Sequence, residues 1–209
     1  MSERHPKEIV ARGYDRVSYA YRPTDCNDGD TDYRKWLSEL SGRLRPGDRI
    51  LDLGCGCGRP AARILSADFA VTGVDISPVQ VDRAREEVPD ATFICSDMLK
   101  VDCSPASFEA ILCLFAIIHV PLSEQRRLIH KMRSWLIAGG LLLITVGYRD
   151  WTGTEEDWLG VKGGLMYRSH ADIETYFAWF RDGFDLLSHS FIPEGDAGHP
   201  LLLLQKSQA

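Results

Sequence analysis

The chain has 209 residues, 44% of them hydrophobic and 26% charged, enough apolar material for one substantial core and too balanced a composition for disorder. A net charge of −6 with no basic block argues against a nucleic-acid partner and favours a small molecule. No run approaches the roughly 18 uncharged apolar residues that span a bilayer, and the polar stretch after Met1 lacks a signal-peptide core, so the expectation is a cytoplasmic protein without membrane contact, monomeric or homodimeric.

Two helical patterns come first, about Pro6 to Tyr21 and about Thr31 to Leu44, joined by the turn-rich PTDCNDGD, which reads as a mobile loop. Strands follow at Arg49–Leu53, in FAVTGVDIS ending at Asp75, in ATFICSDML ending near Asp97, and in FEAILCLFAIIHV. The intervening helices carry start signals: Pro60 in one first turn, Ser77 as N-cap with Pro78 behind it in the next, and Ser123 as the cap of a third that runs to about Leu136. Gly139 and Gly140 are expected to stop that helix before a fifth strand, LLLITVG.

Residues 148–170, YRDWTGTEEDWLGVKGGLMYRSH, read as a functional loop, being too long for an ordinary connection. A helix over about Ala171 to Arg181 then precedes DLLSHSFIP and HPLLLLQKS, which the short turn EGDAG makes an antiparallel hairpin. The alternation predicts a single α/β domain over 1–209 with a doubly wound, mostly parallel sheet. The six cysteines, Cys26, Cys55, Cys57, Cys95, Cys103 and Cys113, form no CxxC pair, so they read as reduced thiols packed as small hydrophobes and not as a metal site, with Cys55 and Cys57 excepted because their loop is expected near a ligand.

The stretch LDLGCGCGRP follows a strand and opens a helix, the setting of a glycine-rich cofactor loop. A dinucleotide loop needs its third glycine five residues after the first, whereas Gly58 comes four after Gly54 and position 59 is Arg. Asp52, two residues ahead of Gly54, repels a pyrophosphate but receives an ammonium group, so the cofactor is expected to present a cation there. Asp75, 21 residues beyond Gly54 at a strand end, is placed to accept from two ribose hydroxyls, and Asp97 to meet an adenine amino group. Helix capping is the competing role for both acids.

ILDLGCGCG, VTGVDIS, ATFICSDM, FEAILCLFAIIHVP and WLIAGGLLLIT, in that order over about Arg49 to Val146, resemble the successive motifs of the class I S-adenosylmethionine-dependent methyltransferases, in the branch acting on small molecules. The resemblance implies a seven-stranded sheet with an antiparallel last strand, a helical lid over 1–45, S-adenosyl-L-methionine as cofactor, and methyl transfer to O, N or S of a small-molecule acceptor. By the same resemblance Gly54, Cys55 and Gly56 would line the methionine end with Asp52 near its amino group. Asp75 would hold the ribose, Ile76 would cover adenine, and Asp97 with Met98 would address the adenine edge. Leu114 and Phe115 would lie near the sulfonium. ARGYDRVSYAYR resembles a lid helix whose aromatic hydroxyl reaches the cofactor carboxylate; Tyr21 is the first choice for this and Tyr14 the second, with packing the alternative for both.

His119 in FAIIHVP, just past the fourth strand, is the candidate base, and His170 in MYRSH the second; a structural histidine bonded to backbone is the alternative. Trp151, Trp158 and Tyr167 either wall an acceptor pocket or pin the long segment down. A NAD-linked oxidoreductase and a non-catalytic S-adenosylmethionine-binding partner subunit remain as alternative functions.

Overall fold

The computed structural model describes residues 5–25, 31–195 and 197–208. Cys26 and most of the predicted mobile linker lie outside the described residues, as does Asp196 of the EGDAG turn. In chain order the elements are α1 (Pro6–Tyr21), α2 (Thr31–Ser41), β1 (Arg49–Leu53), α3 (Ala61–Leu65), β2 (Ala70–Asp75), α4 (Pro78–Glu87), β3 (Thr92–Cys95), β4 (Phe108–Cys113), α5 (Leu122–Trp135), β5 (Leu136–Thr145), β6 (Trp151–Glu155), β7 (Met166–His170), α6 (Ile173–Phe180), β8 (Phe184–Glu194) and β9 (Ala197–Lys206). Seven strands form one sheet in the order β3-β2-β1-β4-β5-β9-β8. β9 runs antiparallel to both of its neighbours, and the other pairings are parallel.

β1 and β4 occupy the middle because they are almost wholly apolar, and a central parallel strand is covered on both faces. Two buried clusters flank the sheet, one built on Leu51, Ile111, Leu128 and Tyr176, the other on Ile50, Leu112, Val81 and Leu203. Among the described residues no helix is long and apolar enough to cross a membrane.

Several local expectations change under tertiary forces. The Gly139–Gly140 pair does not stop α5, which ends at Trp135; it sits inside β5, where the β4 register slips between Phe108 and Ala110 and Gly139 takes φ +73. α5 begins at Leu122 and Ser123 does not cap it, because the first amide finds its acceptor in Ser169 Oγ of β7, 3.2 Å away. Pro60 precedes α3 instead of opening it. The fourth apolar run stops being a strand at Cys113 and closes in a single helical turn, Ile117–His119. Segment 148–170 is not an open loop but carries its own hairpin, β6 with β7, paired from Trp151–His170 to Glu155–Met166.

Helix α1 is fixed by polar bonds as well as by packing. Asp15 accepts from Ser77 Oγ at 2.6 Å, Ser18 Oγ donates to Gln80 at 2.9 Å, and buried Arg83 of α4 donates to the Ser18 carbonyl at 2.8 Å. Val10 and Val17 of α1 form a small core of their own with Trp158 and Met166.

Beneath the glycine loop, the Cys55 thiol points into the sheet. A Cβ built on Gly73 of β2 would stand 2.6 Å from the Phe93 ring and 2.8 Å from Cys55 Sγ. Gly73→Ala is therefore expected to destabilise the fold by about 1–3 kcal/mol, and Cys55→Ala in the same chain should recover part of the loss. Urea unfolding of the two single variants and the double variant measures this coupling.

Candidate active site

The carboxyl ends of β1, β2, β3 and β4 open into a groove covered by α1. At one end it runs past Asp52, Gly54, Cys55 and Gly56, in the middle past Asp75, Ile76, Leu114 and Phe115, and at the other end past Met98 and Asp97. The loop is pinned by Gly54 and Cys55 amides that donate to the Val74 carbonyl at 2.7 and 3.1 Å. Gly54 has φ +77, and a Cβ there would collide with Ala116, so this position has no room for a side chain.

Asp75 accepts from the Gly56 and Ser77 amides, both at 2.9 Å, and so ties the loop to the start of α4. Burial raises its pKa to about 6 against the pull of those amides. Asp52 is only 3% exposed and is raised to about 7, first by burial and then by the charge of Asp75. Asp97 is engaged from above: Lys7 of α1 lies 2.8 Å from Oδ2, and the Leu99 amide donates to Oδ1 at 2.9 Å. Lys7 also pairs with Glu124, so Asp97 shares its cation with α5.

His119 lies where the groove meets a second cavity. Its Nδ1 is 2.8 Å from the Tyr167 carbonyl, which can only accept, so Nδ1 carries the proton and Nε2 is the acceptor. The Tyr14 hydroxyl, 3.0 Å from Nε2, then donates to it. Burial lowers the His119 pKa to about 4, and burial likewise holds the Tyr14 phenol well above its ordinary value, so both are neutral at pH 7. The turn carrying His119 is clamped by buried Gln125, whose Nε2 lies 3.0 Å from the Ile117 carbonyl, 2.8 Å from that of Val120 and 2.6 Å from that of Ser169.

The second cavity is an inner chamber of about 240 Å³ walled by Tyr14, Tyr21, Tyr33, Phe115 and Trp158. Phe115 reaches it from a backbone with φ +54, a conformation rare for a non-glycine residue and concentrated at functional sites. An outer chamber of about 670 Å³ adjoins it, lined by Trp151, Leu159 and His170. The two share Trp158, Arg168, Glu194 and His199, which form the neck between them.

Of the residues singled out in the sequence, Tyr14, Tyr21, Leu114, Phe115 and His119 come together at the junction. His170 stands apart in the outer chamber, its Nδ1 2.6 Å from the Arg149 carbonyl and its ring stacked on Trp151. Trp158 is buried against Tyr14 and Tyr21, while Tyr167 contributes its backbone carbonyl to His119. Sequence reasoning missed Arg22, Tyr33, Arg168, Glu194 and His199. Glu194 opens the EGDAG turn and His199 follows it, and their pairing at 3.1 Å depends on the hairpin fold.

Residues 50–140 match the family model described as a methyltransferase domain. The 27-O-demethylrifamycin SV methyltransferase of Amycolatopsis mediterranei is 36% identical over 108 residues, covering 48% of this chain and 39% of that protein. The 2-methyl-6-phytyl-1,4-hydroquinone methyltransferase of Synechocystis is 33% identical over 118 residues, 54% of this chain and 35% of that one. The chain thus spans less than half the length of either relative. The solved structure of magnesium protoporphyrin IX methyltransferase from Synechocystis with bound S-adenosylmethionine superposes with a TM-score of 0.75 at 18% identity, over 99% of this chain and all of that one.

Residues 50–140 are thus similar in sequence to a methyltransferase domain, and the fold around them is the one seen in the magnesium protoporphyrin IX methyltransferase. Among the described residues, no group of three or more His, Cys, Asp or Glu side chains is gathered as for a metal ion.

The buried acids beside the glycine-rich loop carry a stability cost with a definite sign. Asp52 moves from 3.8 when unfolded to about 7 when folded, so its favourable contribution is complete below pH 3.8 and is lost as pH rises through 7. Asp52→Asn is expected to match the parent near pH 4 and to exceed it in stability above pH 7, the gap widening by about 1.4 kcal/mol per pH unit in between. Urea midpoints across that range test it; parallel curves would show that Asp52 is not a buried charge.

Proposed function

We propose that this protein transfers the methyl group of S-adenosylmethionine to an oxygen, nitrogen or sulfur atom of a small molecule. The observation that carries the reading is the Tyr14–His119 pair, which lines both the groove and the inner chamber. The groove suits the cofactor: Asp52, which lines it, has no hydrogen-bond donor among the described residues, and Gly54 and Gly56 present backbone to it. The bound cofactor supplies an electrophilic methyl carbon on a sulfonium.

The chain's own residues would do the rest. Asp52 would take the ammonium of the amino-acid tail, Asp75 the ribose hydroxyls, Ile76 and Met98 the adenine faces, and Asp97 the adenine edge while keeping Lys7. Tyr21, Leu114 and Phe115 would shield the reacting centre from water, and the inner chamber would hold the acceptor's nucleophile in line with the methyl. As the nucleophile is alkylated its proton becomes strongly acidic, so Tyr14 oxygen can accept it while passing its own proton to Nε2 of His119, even though burial makes that nitrogen a weak base. Trp158, Arg168, Glu194 and His199 at the neck, with Trp151 and His170 beyond, support an acceptor whose body extends into the outer chamber.

Calorimetry with S-adenosylhomocysteine should show binding that Asp75→Ala abolishes; no heat with the parent chain would overturn the reading. Release of S-adenosylhomocysteine over a panel of phenols, amines and thiols should identify an acceptor. With that acceptor, Tyr14→Phe and His119→Gln should each lower kcat by about 100-fold or more while leaving cofactor affinity within a few-fold.

A further inference from the structure

The outer chamber of about 670 Å³ has one wall made of two stacked rings. Trp151 opens β6 and pairs across the hairpin with His170 at the end of β7, the ring centres 6.1 Å apart and the planes 27° from parallel. A glycine makes room for each ring: a Cβ on Gly147 would stand 2.4 Å from His170 Nδ1, and one on Gly153 would stand 3.0 Å from the Trp151 ring. His170 Nδ1 donates to the Arg149 carbonyl at 2.6 Å, and burial lowers the pKa of the imidazole, so the lower ring is fixed and neutral.

The upper ring is open. Trp151 is 40% exposed and joins none of the three buried clusters among the described residues, whereas Trp158 is part of one. Trp158 therefore pins the segment down, and Trp151 offers a positioned face to whatever fills the chamber. The remaining walls define the kind of ligand. Two guanidiniums lie over further rings, Arg149 at 5.2 Å from the centre of Tyr148 and Arg168 at 5.6 Å from that of Trp158, and Glu155 and Glu194 line the cavity beside them. A saturated chain filling this space would strip water from those charges and return no hydrogen bond. A flat conjugated body stacks its face on Trp151 and turns polar edge groups toward the guanidiniums.

We propose that the Trp151–His170 stack is the platform for a flat aromatic acceptor, whose nucleophile-bearing end enters the inner chamber past Trp158 while a second aromatic ring lies in the outer chamber. The proposal rests on the reading of the protein as a small-molecule methyltransferase and gives that molecule a chemical class.

Calorimetry at saturating S-adenosylhomocysteine compares 4-phenylphenol with 4-cyclohexylphenol, the same phenol with an aromatic or a saturated second ring. The parent chain should bind 4-phenylphenol about 3- to 10-fold more tightly, although the saturated ring is the more hydrophobic of the two. Trp151→Leu, which keeps apolar bulk and removes the ring, should erase that preference, and Trp151→Phe should retain most of it. Equal binding of the two phenols by the parent, or a preference that Trp151→Leu leaves intact, would overturn the platform. Absence of heat with S-adenosylhomocysteine would instead overturn the reading of the groove, and the same comparison of phenols without the nucleoside would still decide the platform.

Discussion

One imidazole joins the parts of this site. His119 sits on the turn after β4, donates to the backbone of β7 and accepts from Tyr14 of α1, so strand end, hairpin and lid converge on a ring that is 8% exposed. Neither ring nitrogen is spare: the Tyr167 carbonyl settles the tautomer, and the tautomer makes Tyr14 the donor. Gln125 beneath the turn fixes where the ring stands, by bonding backbone of the turn and of β7 at once and accepting from Tyr176 of α6 at 2.5 Å. Moving α1 away would leave an unpaired nitrogen and an unpaired phenol in a buried place, so the Tyr14–His119 pair and the docked position of α1 are one arrangement.

The other end of the groove works against stability. Asp52 and Asp75 are two acids raised toward neutrality by burial, and among the described residues no carboxylate pairs with Arg22. A fold optimised for stability alone would replace these with apolar groups or pair them. Their persistence in one groove is what a site for a charged ligand requires, because charges left unmet by the protein are met by what binds.

The neck between the chambers is built from two hairpins of different kinds. The β6–β7 hairpin, outside the seven-stranded sheet, supplies Trp158 from its connection and Arg168 from its second strand, while β8 and β9 at the edge of that sheet supply Glu194 and His199. The first hairpin can change without disturbing the sheet, which is why a shared fold does not by itself name a ligand.

The sequence by itself determined the sheet and the edge of it at which the groove opens. Apolar runs ending at Asp52, Asp75 and Asp97, each followed by turn and helix signals, place three acids at the carboxyl edge of a parallel sheet, since local pattern dictates strand ends and strand ends dictate that edge. Helix α1 and strand β1 fell at their predicted bounds because their caps and turns lie in adjacent residues. Only the tertiary structure decided the rest. Ser169 displaced Ser123 as the partner of the α5 amide, Cys55 turned under its loop because Gly73 left room, and Tyr14 met His119 across 105 residues. Hydrogen bonds and charges of that kind leave no periodic trace in a chain; they exist only once packing has brought distant groups within 3 Å of each other.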